Sequence, residues 1–355
     1  MSERRPPFRR CRVFLPFAPA QERHESMDYE NDGVLADLAN WFVDPKLDWD
    51  WVPVMASTLA ARVAEVAAGT VVVNLCDGDD RNGYPGISVV RALEAAGVPY
   101  TGADPAFYAV STSKLAMKRR FAAAGVATAP WMALGDVEAD LRRAAETIGF
   151  PLFVKPDVSA AAAGISSTSV VHDHAQAVAR VRRVAEGLHG FRFDAGSIFV
   201  ERFLPGREFS VLVAADAGGA IAFAPCEKLF HWSLPPEQRF VTFARNYGGG
   251  EEPPPEDGGD AFRYGPVAAE LAAPLRQTAL DAFAALDATG YGRVDIRQDG
   301  DGRFVVLEVN ANCGLSADKG LTTAGAILAF SGTTMRHMLD LMLWDAWRRW
   351  KGKPS

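Results

Sequence analysis

Apolar positions along this chain follow two rhythms. The stretch "VMASTLAARVAEVAAG" (54–69) spaces its aliphatic residues at helical intervals and stops at Gly69. "TVVVNLC" (70–76) is a continuous apolar run, the mark of a strand buried on both faces. "GISVVRALEAAGVPY" (86–100) returns to the helical period, closes at Gly97 and runs into another strand. With a first strand in "RVFLPF" (12–17), this opening segment predicts alternating strand and helix, the pattern of an open α/β sheet. The loop "DGDDRNGYPG" (77–86) follows the carboxyl end of a strand, where such sheets bind ligands.

The pattern then changes. "SKLAMKRRFAAAGVATAP" (113–130) predicts a helix with a proline stop, and "LRRAAETIGF" (141–150) a second helix before the strand "PLFVKP" (151–156). "SAAAAGISSTSVV" (159–171) is a small-residue loop leading into a strand. "HDHAQAVARVRRVAEGL" (172–188) is a helix capped by Asp173 with Gln176 three residues on. Strands follow in "SIFVERFL" (197–204), "PGREFSVLVAAD" (205–216) and "AIAFAPCEKLF" (220–230). A long Gly/Pro/acid loop covers 247–266, and 267–286 predicts a helix with a kink or break at Pro274. The chain closes with the amphipathic stretch 334–350, read as core packing in preference to a membrane-surface helix.

Composition bounds what this architecture can serve. At 355 residues the chain suits two or three domains. Its net charge of −7 provides no basic field for nucleic acid or an acidic membrane, so an anionic ligand needs local lysines and arginines. The four cysteines are scattered with no CxxC pair, which fits a reducing cytoplasm and argues against a disulfide framework or zinc site. No apolar run spans a bilayer, and the arginine-rich N-terminus, interrupted by Pro16 and Pro19, reads as a disordered tip, not a signal peptide.

The chemistry concentrates in "GYGRVDIRQDGDGRFVVLEVNANCG" (290–314). Two strand-like runs flank a turn, so alternation puts Arg293 with Asp295 on one face and Glu308 with Asn310 on one face of the partner. Pairing the runs brings Asp295 opposite Glu308 and Asn310. Two carboxylates and an amide oxygen are hard donors suited to Mg²⁺, which takes few protein ligands plus phosphate oxygens; the alternative is a solvated polar face. Upstream, Lys118 and Lys155 are candidate phosphate holders, and the loop through Ala161 and Gly164 is small enough for backbone N–H groups to approach a phosphate. Taken alone, each lysine could equally be a solvated charge. Around the apolar turn of "VERFLPGREF", Glu201 and Glu208 are suited to an adenosine, whose base needs an apolar slot and whose ribose needs a carboxylate.

Taken in order, Lys118, "FVKP", "VERFLPGREF", "CEKLF", "GRVD" and "LEVN" resemble the ATP-grasp superfamily, and within it the D-alanine–D-alanine ligases. The resemblance runs from about "NLCDGDD" to "NANCG". It implies an α/β ATP-grasp fold, α+β in its nucleotide-binding half, of three domains: 1–113 an N-terminal open α/β domain, 114–204 a central lobe, and 205–355 a C-terminal lobe carrying the metal site, with ATP between the last two. It implies ATP-dependent, ADP-forming ligation of a carboxylate to an amine, with two Mg²⁺ for which Mn²⁺ can substitute. Residue by residue, it implies nucleotide phosphates on Lys118, Lys155 and the loop of Ala161 and Gly164. Adenine would lie at Glu201 with the backbone of Phe203 and Leu204, and ribose at Glu208. Lys228 would reach the transferred phosphate, Asp295, Glu308 and Asn310 would hold the metals, and Arg293 with the Gly314 N–H would stabilise an oxyanion. It also implies a cytoplasmic homodimer, paired through the first domain, with small-molecule substrates.

The amino-acid half departs from the family. Cys76 and Asp77 stand near the place of the family's loop histidine, Ala160, Ala161 and Ala162 replace its Gly-Ser-Ser, and "ANCGLSADKGLTT" replaces its Thr-x-Pro-Gly and Ser-Leu. The glutamate that holds the first amino group has three candidates, Glu22, Glu25 and Glu30. Hydroxyls lost to alanines change selectivity. The expectation is therefore a ligase for other amino-acid substrates in specialised metabolism, with Asp77 and Lys319 as substrate contacts. Its rivals are a genuine D-alanine–D-alanine ligase and a non-catalytic ATP-binding protein. His172 and His174 read as a helix start and Cys313 as packing; Trp41, Trp49 and Trp51 fit either a pocket wall or a core.

Overall fold

The computed structural model describes residues 8–18, 32–41 (side chains from 36), 47–78, 80, 83–188, 190–193, 195–247, 252–320 and 322–352. Glu22, Glu25 and Glu30 lie outside them. Among the described residues the strands form three sheets. β1 (Arg10–Pro16), β2 (Asp48–Val54) and β3 (Thr70–Asn74) make a parallel sheet ordered β2-β1-β3. β4 (Trp131–Ala133), β5 (Leu152–Pro156), β6 (Val170–Val171) and β7 (Ile198–Arg202) make an antiparallel sheet ordered β4-β7-β5-β6. β8 (Glu208–Asp216), β9 (Gly219–Ala222), β10 (Cys226–Phe230), β11 (Phe262–Pro266), β12 (Tyr291–Gln298) and β13 (Phe304–Ala311) make the largest, ordered β11-β10-β8-β12-β13, with β9 on β8.

Helices cover these sheets: α1 (Asp32–Trp41), α2 (Leu59–Ala64), α3 (Ile87–Ala95), α4 (Pro105–Thr112), α5 (Lys114–Ala124), α6 (Val137–Thr147), α7 (His174–Ala185), α8 (Phe243–Tyr247), α9 (Ala269–Ala285), α10 (Thr323–Phe330) and α11 (Met335–Lys351). Local chemistry sets many of their ends. Asp104, Ser113, Asp136 and Asp173 each accept an N–H of the first turn, and Gly125 ends α5 in the left-handed conformation.

The packing divides unequally. The central sheet has its own core, in which Leu141, Val154, Val181 and Val200 meet. The parallel sheet and the largest sheet share theirs: Phe14, Val72 and Phe107 pack in one cluster with Phe209, Val294 and Val309. α5 follows the larger core, since its Met117 and Phe121 are buried there. The contact between the helix-covered parallel sheet and the largest sheet is close. Asn312 Oδ1 accepts from Ala103 N–H at 2.8 Å, and a side chain at Gly290 would stand 2.2 Å from the Gly102 carbonyl oxygen.

Several expectations need correction. The helix expected over 54–69 is confined to Leu59–Ala64, because Val54 belongs to β2 and pairs with Pro16. β2 itself escaped the sequence reading, its Trp49 and Trp51 packing against each other at 5.1 Å while Trp41 is fully buried. The strand expected over 220–230 splits into β9 and β10. Pro225 has no N–H to donate, and the two pieces pair with opposite ends of β8. Part of the expected loop 247–266 is β11, antiparallel to β10. Pro274 does not break α9, which is continuous over Ala269–Ala285; the proline sits in its second turn, and the face bearing Leu275, Ala279 and Phe283 is buried downstream.

Candidate active site

The β12–β13 hairpin builds the centre of the site. Its register sets Arg293 opposite Asn310 and Asp295 opposite Glu308, then shifts by one residue beyond Asp295. That bulge turns the outer hairpin away after the last charged pair. The four side chains form one network: Arg293 Nε and Nη2 donate to Asp295 at 2.8–3.1 Å, Ser210 Oγ donates to Asp295 Oδ1 at 2.6 Å, and Asn310 Nδ2 donates to both Asp295 (3.0 Å) and Glu308 (3.1 Å). Burial works against the Asp295 carboxylate, but Arg293 and Lys228 outweigh it and hold its pKa down at about 2. Glu308 is likewise desolvated, yet Lys114 lowers its pKa below the usual range.

This donor set fits Mg²⁺. Two ionised carboxylates face each other across a hairpin with only an amide between them, and rotating that amide presents its oxygen to the same point. Among the described residues no cluster of three or more His, Cys, Asp and Glu side chains gathers around a common point. The protein thus supplies few ligands, leaving positions for phosphate oxygens, as Mg²⁺ prefers.

The hairpin forms one wall of a cavity of about 700 Å³, the size of a cofactor site. Asp77, Lys155, Ala161, Glu201, Phe203, Leu204, Glu208, Lys228, Arg293, Asp295, Glu308, Asn310 and Gly314 all line it. At its apolar end Phe153, Ile165, Phe203 and Phe240 cluster, with the Phe153 and Phe203 rings nearly parallel. Such a slot matches a planar base. The Phe203 N–H is engaged by the Pro151 carbonyl at 3.1 Å. Glu208 is clasped by Lys228 and Arg297, each at 2.8 Å, so that each of its oxygens has a charged donor. Lys228 responds with a raised pKa: burial opposes its charge, but Glu208 and Asp295 more than compensate.

Three of the expected contacts lie elsewhere. Lys118 is not in the cavity wall. It is 1 % exposed and sits beneath Glu201, 2.5 Å from it, donating to Thr128 Oγ1 at 2.9 Å. Gly164 is packed against Pro156 and Phe193, its positive φ of 80° serving the bend of the loop and not a ligand. Lys319 is on the surface, outside the lining.

The sequence reading also missed residues. Lys114, one helical turn before Lys118, lines the cavity, donates to the Ser159 carbonyl at 2.9 Å and stands 3.4 Å from Glu308. Both lysines were visible in "SKLAMK", but which one faces inward depends on how α5 docks. Asp37 of α1 lines the cavity too and accepts the N–H groups of Ala317 and Asp318 at 3.1 Å. Asn246, Tyr247 and Tyr264 line the cavity as well. Cys313 is in the lining beside Arg293, but burial raises its pKa to about 12, so it is a thiol and no nucleophile.

Comparison with known proteins identifies the family. The family described as D-ala D-ala ligase C-terminus matches residues 121–340. A D-alanine–D-alanine ligase of Xanthomonas axonopodis pv. citri is 30% identical over 272 residues, covering 76% of this chain and 74% of the relative. Among solved structures, the D-alanine–D-alanine ligase of Bacillus anthracis complexed with ATP superimposes with a TM-score of 0.67 at 17% identity, covering 96% of this chain and 98% of the other. The VanG D-Ala:D-Ser ligase of Enterococcus faecalis does so with a TM-score of 0.71 at 15% identity, covering 96% and 99%. At such identities the two structures speak for a shared ATP-grasp fold.

Proposed function

The chain belongs to the D-alanine–D-alanine ligase family, and from that premise we propose that it joins two D-alanines. It is an ATP-dependent, ADP-forming carboxylate–amine ligase with ATP and Mg²⁺ as cofactors and small molecules as substrates. The observation that carries the finer reading is the hairpin constellation of Asp295, Glu308 and Asn310 with Arg293, set in one cavity with Lys114, Lys155 and Lys228. A non-catalytic nucleotide binder has use for the base slot, but not for an arginine and a metal platform at the far end.

A carboxylate resists attack by an amine because oxide is a poor leaving group. Transfer of the γ-phosphoryl group of ATP to the carboxylate oxygen releases ADP and makes an acyl phosphate; the amine then forms the C–N bond as phosphate leaves. Lys155, Lys228 and Lys114 place positive charge along the path of the migrating phosphoryl group. Asp295, Glu308 and Asn310 would hold Mg²⁺, which would supply charge neutralisation for the phosphoryl group. Arg293 and Gly314 both line the cavity, where the guanidinium and the Gly314 N–H would stabilise negative charge on the carbonyl oxygen during amine attack. Water has to be kept from the acyl phosphate, which it would hydrolyse.

A second reading, a different amino acid or amine in one of the two substrate positions, has support in the alanines at 160–162 and in Asp77, which puts a carboxylate in the cavity wall. Its setting would be specialised metabolism. The test is ADP release with Mg²⁺ and ATP, first with D-alanine alone and then with D-alanine paired against a panel of amino acids. Turnover with D-alanine alone, with the dipeptide as product, supports the first reading. Silence there with turnover on a mixed pair replaces it with the second.

A further inference from the structure

Two short segments wall the cavity from different parts of the chain. One is the small-residue loop and 3₁₀ turn 159–169, which contributes Ala160, Ala161, Ala162 and Ile165 to the lining. The other is 240–247, which contributes Phe240, Val241, Asn246 and Tyr247. The first is held internally by short turns, Ala163 N–H to the Ala160 carbonyl at 2.9 Å and Ile165 N–H to the Ala162 carbonyl at 3.0 Å, and by a reciprocal cap between Ser166 and Ser169, but it carries strain. Ala161 and Ala162 both adopt positive φ (56° and 58°), a conformation that costs a non-glycine residue about 1 kcal/mol or more. Their methyl groups form no hydrogen bond in return.

Further restraint comes from outside. Arg180 of α7 ties the loop to its own lobe, donating to the Gly164 carbonyl at 2.6 Å and Ser169 Oγ at 2.8 Å. The tie to the other segment is Glu252. Its Oε1 accepts the Ser167 N–H at 2.7 Å, and its Oε2 accepts Thr242 Oγ1 at 3.0 Å and pairs with Arg245 Nε at 3.1 Å. One carboxylate therefore spends one oxygen on each segment. The Glu252 and Arg245 side chains are 5 % and 7 % exposed, so the pair is shielded from solvent and each partner depends on the other. The Phe243 N–H adds a backbone link to the Ile165 carbonyl at 3.2 Å.

We propose that Glu252 is a positioning residue that joins segments 159–169 and 240–247 into a single cover over the cavity, so that the two order together around bound nucleotide and keep water from the acyl phosphate. This rests on the ligase reading above for its catalytic consequence, but the joining itself is independent of substrate identity.

Two variants test it. Glu252→Ala removes the bridge. Ser167→Pro removes only the donor: Ser166 is extended (φ −140°, ψ 174°), as a residue before proline prefers, and Ser167 opens a 3₁₀ turn, where proline is tolerated. This second variant keeps the test available if the first fails to fold. Hydrogen exchange is measured on the full chain with Mg²⁺ and a non-hydrolysable ATP analogue. In the wild type both segments gain protection together; in each variant, exchange at 240–247 is expected to stay at least tenfold faster while α7 is unchanged. Wild-type protection of 240–247 in Ser167→Pro would overturn the proposal. Where the wild type turns over D-alanine, ADP released per amide formed is expected to rise at least twofold in either variant. A wild type silent on D-alanine would count against the substrate reading, and the exchange result would still decide the latch.

Discussion

Glu201 is held between two ammonium groups, 2.5 Å from Lys118 and 2.6 Å from Lys155, and of the two lysines only Lys155 lines the cavity. The carboxylate thus couples a structural charge beneath the site to a functional one inside it. Lys118→Met leaves Glu201 buried with one partner and is expected to cost roughly 3 kcal/mol of stability. Lys114→Met removes a cation from the cavity wall and is expected to lower turnover about 100-fold at near-wild-type stability. Urea unfolding beside steady-state rates checks both; equal effects of the two variants on stability would contradict the division of labour.

The same carboxylate predicts acid sensitivity. Desolvation pushes the Glu201 pKa up, but Lys118 and Lys155 prevail and bring it from 4.5 to about 2. A depressed carboxylate stabilises the fold fully above its unfolded pKa, and that stability is lost as pH falls through the folded value. The loss should therefore fall between about pH 5 and pH 2 and amount to about 3 kcal/mol at most. Unfolding free energies at several pH values should show this slope, and Glu201→Gln should flatten it.

Asp295→Asn and Glu308→Gln each remove one carboxylate from the hairpin platform. ADP release is expected to drop about 100-fold or more, and the Mg²⁺ concentration for half-maximal rate to rise. Asp295→Asn also frees Arg293 from its bidentate partner, so it should be the more damaging of the two. Titrating Mg²⁺ at fixed ATP measures both effects.

Gly290→Ala probes the seam between the segment that carries the parallel sheet and the largest sheet. Gly290 has φ +65°, and a Cβ there would lie 2.2 Å from the Gly102 carbonyl oxygen, a backbone atom that cannot swing aside. Positive φ and the clash together should cost more than about 2 kcal/mol. Thermal unfolding would register it, and a Tm equal to wild type would show that the seam can open at little cost.

What the sequence by itself determined is what depends on short separations along the chain. Alternation in "GRVDI" and "VLEVN" assigns Arg293 with Asp295, and Glu308 with Asn310, to shared strand faces, and the turn between the runs brings the strands together. Capping at Asp173 is local in the same sense. Tertiary structure decided what depends on docking. Lys114 and Lys118 are neighbours on one helix, and the packing of Met117 and Phe121 turns one toward the cavity and buries the other. Pairing along the edge of β8 split one apolar run into β9 and β10. Asp37 and Glu252 gained their places only when distant segments closed on them, 280 residues from Ala317 in the first case and 85 from Ser167 in the second. Local periodicity encodes which face of an element a side chain occupies; it does not encode what that face will meet, because long-range packing selects among faces that are alike in sequence.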